Sequence, residues 1–534
     1  MAAAVVLGLI AIYTQTGDDD ERTSVVSGPS VQGTVTDTVG LPVPGVPVTF
    51  SHGTSEITVT VLSGPGGAFK TRLEQFGTHV ASAGARVWSA SPVEINVSPR
   101  EPVTVDFTVS RMRDPLTALP SAHWLSLLPE GEMKREFMVN CTSCHEIAHP
   151  RVVVDGTHRT QTQWLDAITF MRETVDEYEL TPADFEDDRY AAWLAEYLTA
   201  TALTKVAPLE PPAANALSAR YTEYPVPERP SLPHDLVVGP KGRIWIAGFF
   251  SDEVWALMPD TGEMQVFPVN EKPDTWAQAR ALEFDRGGKL WVLLGGTNAV
   301  AKLDPDTGAY ETFDAGMYGH SLDLDSAGNV WFNDYFGKPE QIGRVDGKTG
   351  ALTLHPIPSA NLSQQEGLPL PYGLQMDQDD VLWVASLASN QLVRFDTRTG
   401  DAESIEMPSP NSGPRRLEVG PDGVVWVPEW STGKLAKYDP KTKRFTEYQP
   451  GLSTIGPYDV EVNHKTGEVW MSGSLSSSIF RFEPQTETWT EFRWPTEPAY
   501  IRHIAIDEAT GDVWSAYSSL PEAEPKIVRL QPKG

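Results

Sequence analysis

Three patterns of hydrophobic and polar positions divide this chain. From residue 28 to 112 apolar and polar residues alternate between Gly/Pro turns, as in Val31-Gln32-Gly33-Thr34-Val35-Thr36-Asp37 and Val46-Pro47-Val48-Thr49-Phe50. Period two predicts half-buried strands, here a small β-sandwich. From 118 to 203 the apolar residues recur at helical spacing instead. Met133, Phe137 and Met138 share one side of a helix over 130–140, 164–171 is a second helical stretch, and Tyr190, Trp193, Leu194, Tyr197 and Leu198 mark a third. Thr181-Pro182-Ala183-Asp184 reads as an N-cap with Pro at the first helical position of that third helix.

Beyond an Ala/Pro-rich linker at 204–220, the pattern repeats. Tryptophans stand at 245, 291, 331, 383, 426, 470 and 514, each in a motif such as Gly242-Arg243-Ile244-Trp245 or Gly328-Asn329-Val330-Trp331. Hairpin turns such as Asp304-Pro305-Asp306-Thr307-Gly308 and Asp396-Thr397-Arg398-Thr399-Gly400 fall between them. A period in the forties with short strands is the mark of propeller blades, and seven copies predict seven blades over 221–534. Blades end in strands such as Phe445-Thr446-Glu447-Tyr448, but the seventh repeat stops after Ile527-Val528-Arg529-Leu530. Tyr221-Thr222-Glu223-Tyr224 has the missing pattern, so it is expected to complete the seventh blade and hide the open edge. The fold class expected is mainly β and multidomain: a sandwich, a small helical domain and a seven-bladed propeller.

Composition changes this picture in one respect. The formal charge of −30 leaves no basic stripe for phosphates and excludes nucleic acid as a partner. The N-terminal 1–27 holds a short apolar run, Ala2 to Tyr13, then Asp18-Asp19-Asp20-Glu21. Twelve apolar residues are short of the ~20 needed to span a bilayer and fit an export signal, or a short anchor that would be the only membrane contact.

The chain has only two cysteines, and Cys141-Thr142-Ser143-Cys144-His145 spells C-x-x-C-H, the pattern for covalent haem attachment. Cys141 and Cys144 supply two thioethers, and His145 takes one axial position on the iron. A thiol pair does not need the following His, and no second pair exists to complete a zinc cage. The order of helix, haem motif, Met-bearing helix and terminal helix resembles a class I cytochrome c over 118–203. The resemblance implies one haem c, export to the periplasm or another extracytoplasmic space, and a Met as second axial ligand. Met171 matches best, with His158 and His149 as rivals. The stretches Val31 to Asp37 and Leu41 to Phe50 resemble the carboxypeptidase regulatory-like module, which implies no chemistry for the sandwich and leaves His52 and His79 as surface residues.

Inner strands of a propeller line its axis, so the residues opening them gather on one face. Aligned on the tryptophans these are His234, Arg280, His320, Tyr372, Arg415, Tyr458 and Arg502, with Asp235, Asp459 and His503 beside them. Asp334 and Glu429 end second strands on the same side. Converging arginines suggest an anionic small molecule over the axis, since guanidinium binds carboxylate or phosphate bidentately. His with carboxylate suits acid–base work or a metal. Pro371-Tyr372-Gly373, Gly413-Pro414-Arg415, Gly456-Pro457-Tyr458, Trp331-Phe332-Asn333-Asp334-Tyr335 and Gln341-Ile342-Gly343-Arg344 resemble the repeats of the virginiamycin B lyase (streptogramin lyase) family. That likeness implies Mg2+, a catalytic His (His320 or His503) and glutamates (Glu429). Trp470-Met471-Ser472-Gly473 lacks the acidic residue expected in its blade. Three functions remain open. The first is a periplasmic electron carrier or oxidoreductase with an electron-transfer partner protein; it is favoured, because a haem fused to a binding ring is hard to explain unless electrons move. The others are a magnesium-dependent C–O lyase and a non-catalytic scaffold.

Overall fold

Each of the seven tryptophans lies on the second strand of an antiparallel blade, and the turn before it shows why. In the computed structural model, which describes residues 30–85, 87–99, 101–112, 119–143, 145–174, 186–203, 211–227, 232–270, 275–358, 369–519 and 523–533, Asp325 governs one such turn. Its Oδ1 accepts the Ala327 and Asn329 N–H groups at 3.0 and 2.9 Å, and its Oδ2 accepts the Trp331 indole N–H at 2.9 Å. Gly328 closes the turn at φ +82°, where a side chain would be strained. The same six-residue reach joins Asp285 to Trp291 and Asp377 to Trp383, each at 3.2 Å.

The anchored ring then packs on the following blade. Trp245 lies with Leu290 and Val292, Trp291 with Val330 and Phe332, and Trp383 with Val425 and Val427. The last, Trp514, lies with Ile244 and Ile246 of the first blade, so the ring closes on itself. Six blades are separate four-stranded sheets. The seventh group, Ile501–Asp507, Asp512–Ser519, Ala523–Gln531 and Arg220–Pro225, is part of a larger sheet. Arg220–Pro225 pairs antiparallel with Ala523–Gln531, from Arg220 opposite Gln531 to Pro225 opposite Lys526. The expected closing strand is therefore in place, but its outer edge is not left open. That edge pairs with Thr58–Leu62 of the N-terminal unit. Buried Glu223 ties the joint, accepting from Tyr517, Thr58 and Thr496, each at 3.0 Å.

The N-terminal unit, Ser30 to Arg111, is all strand and has its own core of Val31, Val35, Phe50, Phe69 and Phe107. His79, expected at the surface, is buried against the His52 ring. Residues 211–220 are no loose spacer: Ala216 and Ala219 are buried with Trp494 and Ile501. The rest of the 204–220 linker and the 1–27 segment lie outside the described residues. No helix among the described residues is long and apolar enough to cross a membrane.

The helical region has α1 (Ser121–Leu125), α2 (Glu132–Cys141), α3 (His149–Val152), α4 (Gln161–Thr174), α5 (Asp187–Tyr197) and α6 (Ala200–Leu203). The capping sequence at 181–184 lies outside the described residues, and Leu198 caps α5 rather than continuing it. Phe137 and Met138 of α2 are buried as their spacing predicts, with Tyr190 and Leu194 of α5. The same core continues into the propeller through Tyr372, Trp430, Tyr458 and Tyr500, so the helices cover the mouth of the axis.

Candidate functional site: the capped propeller axis

The strands that open the blades are bulged at their first residues, with register breaks between Pro233 and Leu236, Ala279 and Leu282, Pro457 and Val460, and Ile501 and His503. A bulge turns consecutive side chains in different directions. One of each pair enters a mouth ring under the helices; its neighbour faces the axis.

The mouth ring is the predicted set. His234, Arg280, His320, Tyr372, Arg415, Tyr458 and Arg502 are all buried. Each of the three arginines has an aromatic ring face beside its guanidinium. Arg280 lies 4.9 Å from Phe249 and from Tyr318. Arg415 lies 4.7, 4.3 and 3.7 Å from Tyr372, Trp430 and Tyr458. Arg502 lies 4.5 Å from Tyr500 and donates to Ser518 Oγ at 2.9 Å. The electron-rich ring faces offset part of the cost of burying these cations.

The three predicted catalytic residues have different surroundings. His320 is stacked 3.8 Å from the Tyr372 ring and 5.5 Å from His234. Burial, then Arg280 and Arg416, holds it neutral, well below its ordinary value. Glu429 accepts from Thr432 at 2.6 Å, and its charged neighbours are Glu447 and Lys434 on the outer strands of its own blade. Burial pushes its carboxyl up to about 8. His503 faces the axis, 3.8 Å from Asp459 and 3.9 Å from Asp235. Asp334 is taken by Gln341 at 2.7 Å.

The guanidinium that does face the axis is Arg416, one residue past the predicted Arg415. It donates to Asp235 at 2.6 Å, and Asp235 also meets His234 Nδ1 at 2.7 Å. Burial works against the Asp235 charge, but Arg416, His503 and His234 outweigh it and hold the carboxyl far below its usual range. Burial lowers His234 to about 3 despite Asp235.

Below this level lies a ring the sequence reading missed: Glu283, Asp323, Gln375, Glu418 and Glu461 from five consecutive blades. They line a channel cavity of about 270 Å³ with Asp235, Arg416, Asp459 and His503. The signal was available, because positions two apart on one strand share a face. Burial, then Asp323, pushes Glu283 up to about 8, and burial pushes Asp323 to about 7. Burial also raises Glu418 and Asp459, and with Glu418 and Asp459 as neighbours it raises Glu461 far more. Crowded carboxyls in low dielectric keep their protons unless a cation replaces them. Asp459, Glu461 and His503 bring their ligand atoms within 4.8 Å of one another, an O,O,N set that suits a divalent cation.

Above the mouth ring sits the C-x-x-C-H loop. Cys141 ends α2 and is half-buried; Cys144 lies outside the described residues. His145 Nδ1 meets the Glu146 carbonyl at 3.0 Å. Met171 is on α4 and half-buried. His158 packs 6.1 Å from the Trp124 ring, with its Nδ1 buried and unpaired among the described residues. Propeller groups grip the loop. Arg415 Nη2 and Tyr500 Oη donate to the Ser143 carbonyl at 2.9 and 2.6 Å, and Trp430 Nε1 donates to Met138 O at 2.7 Å. Ala122 N donates to Leu475 O at 2.6 Å. Trp430 and Tyr500 were not among the predicted site residues; nothing in their spacing distinguishes them.

No family model matches the chain, and no curated protein matches it. Among solved structures the propeller has the fold of streptogramin B lyases. A streptogramin B lyase structure is 21% identical with a TM-score of 0.52, covering 59% of this chain and 97% of that one. The selenomethionine-substituted virginiamycin B lyase from Staphylococcus aureus is 20% identical with a TM-score of 0.51, covering 59% and 99%. A catalytically inactive form of the S. aureus enzyme with quinupristin is 19% identical, with a TM-score of 0.51 and the same coverage.

Proposed function

We propose that the chain is an extracytoplasmic c-type haem protein in which a lyase-type propeller serves as the platform for the haem-bearing helices. The observation that carries this is the grip of Arg415, Trp430 and Tyr500 on α2 and the loop that holds the motif. Cys141 and Cys144 would hold the group covalently and His145 would ligate its iron, with Met171 or His158 as the candidate second ligand. Bound haem supplies one-electron transfer. The chain's own residues do the rest: α1, α2 and the aromatic mouth ring exclude water, and the propeller fixes the loop for a partner protein that gives or takes the electron.

Export with a haem-attachment system should yield a chain heavier by one haem, and Cys141→Ala together with Cys144→Ala should remove it. A wild-type chain of unmodified mass would sink the haem reading. A second reading is favoured by the fold likeness: magnesium-dependent C–O cleavage of a small molecule, with Asp459, Glu461 and His503 holding Mg2+. It requires the helices to move off the axis. Turnover of a streptogramin B by the full chain, abolished by a chelator, would favour it over the scaffold reading.

A further inference from the structure

Arg415 is 2% exposed, and its guanidinium is met by aromatic ring faces, a tyrosine hydroxyl and a backbone carbonyl rather than by a carboxylate. Its Nε and Nη1 have no hydrogen-bond partner among the described residues, and only Nη2 is used, on Ser143 O and Tyr372 Oη at 2.9 Å each. A buried cation without a counter-ion costs several kcal/mol of desolvation. Part of that cost is offset by the three ring faces. The rest falls to the C-terminal end of α2, whose carbonyls carry partial negative charge. Met138 O there receives Trp430, Val139 O receives Ser143 Oγ, and the Ser143 carbonyl just beyond receives Arg415 and Tyr500. The positive charge is thus pressed onto the dipeptide between the two motif cysteines. Lysine would keep the charge but not the guanidinium plane that stacks on Tyr458.

We infer that Arg415 is a positioning residue that the propeller contributes to the haem domain: its buried charge holds the Cys141–His145 loop and raises the haem midpoint potential. The inference rests on the haem reading. A fixed positive charge beside the iron's attachment loop disfavours the oxidised, more positive state. In a desolvated site it is screened far less than in water. The partner surface then need not set the potential, because the platform does so from beneath.

The test is spectroelectrochemical titration of the full-length haem protein. Arg415→Gln should shift the midpoint to lower potential. Arg415→Lys should keep most of the wild-type value, and Tyr500→Phe, which removes a donor without altering charge, should shift it less than Arg415→Gln. A midpoint unchanged in Arg415→Gln, or a fall in Arg415→Lys equal to that in Arg415→Gln, overturns the inference. If Arg415→Gln yields no folded protein, Arg415→Lys decides: a retained midpoint supports the charge, a fall overturns it. The two levels fail separately. A wild-type chain without the haem absorbance sinks the haem reading before any titration, whereas a haem whose midpoint ignores Arg415 sinks only this inference.

Discussion

The mouth ring draws on seven blades and the carboxyl ring on five of them, three residues further along the chain in each, and the two solve the burial of charge in opposite ways. The cations Arg280, Arg415 and Arg502 stay charged because a guanidinium does not give up its proton, so the fold supplies aromatic faces and carbonyls. Glu283, Asp323, Glu418 and Glu461 can discharge, and burial favours their protonated forms. Between the two levels, at Asp235 and Arg416, charge is neutralised by an ion pair. The mouth ring is therefore committed to holding a positively charged, permanently folded contact. The carboxyl ring remains free to exchange its protons for a cation.

The largest effect expected is at the mouth. Trp430→Ala removes a fully buried indole, its bond to Met138 O and one wall of the Arg415 box. It should cost about 3–5 kcal/mol in chemical denaturation, and a loss under about 1 kcal/mol would mean that the helices do not rest on the ring. Asp235→Asn should cost about as much or slightly less, again ~3–5 kcal/mol, because it strands Arg416 in the interior. Asp235→Asn paired with Arg416→Met should recover part of it, and a double variant no better than the single one would break the middle level of the comparison.

The carboxyl ring should show itself in pH. Glu283 and Asp323 have folded-state values raised above their unfolded ones, so the folded chain binds more protons between roughly pH 4 and 8. Their contribution is full below the unfolded values and is lost as pH rises through about 7 and 8. Stability should fall across that window by up to ~1.4 kcal/mol per pH unit for each group. Glu283→Gln with Asp323→Asn should flatten the slope; an unchanged slope places the protons elsewhere. The smallest effect is that of added Mg2+ at pH 8. At ten times its dissociation constant it would raise stability by about 1.4 kcal/mol if Asp459, Glu461 and His503 hold it, and His503→Ala should abolish the gain.

Much of this was legible in the chain. The seven tryptophans, and the blade-ending pattern that Tyr221-Thr222-Glu223-Tyr224 shares, are local signals, and their repetition made the register readable. The mouth ring was found by that register, and so were its members. Their partners were not. Arg415 and Arg416 are adjacent, and only the bulge decides which faces the axis. Trp430 and Tyr500 became site residues because another domain descended on them, a long-range contact with no local trace. The strand pairing of Thr58–Leu62 with Arg220–Pro225 was hidden for the same reason.

The central claim is that the mouth ring is occupied by the chain's own C-x-x-C-H loop. Hydrogen exchange of the peptide spanning 138–147 in the full-length chain tests it most directly. Protection approaching that of the propeller strands, lost in Trp430→Ala while the blades stay protected, is the result expected. Exchange of that peptide at the rate of an exposed loop, unaltered by Trp430→Ala, would contradict it.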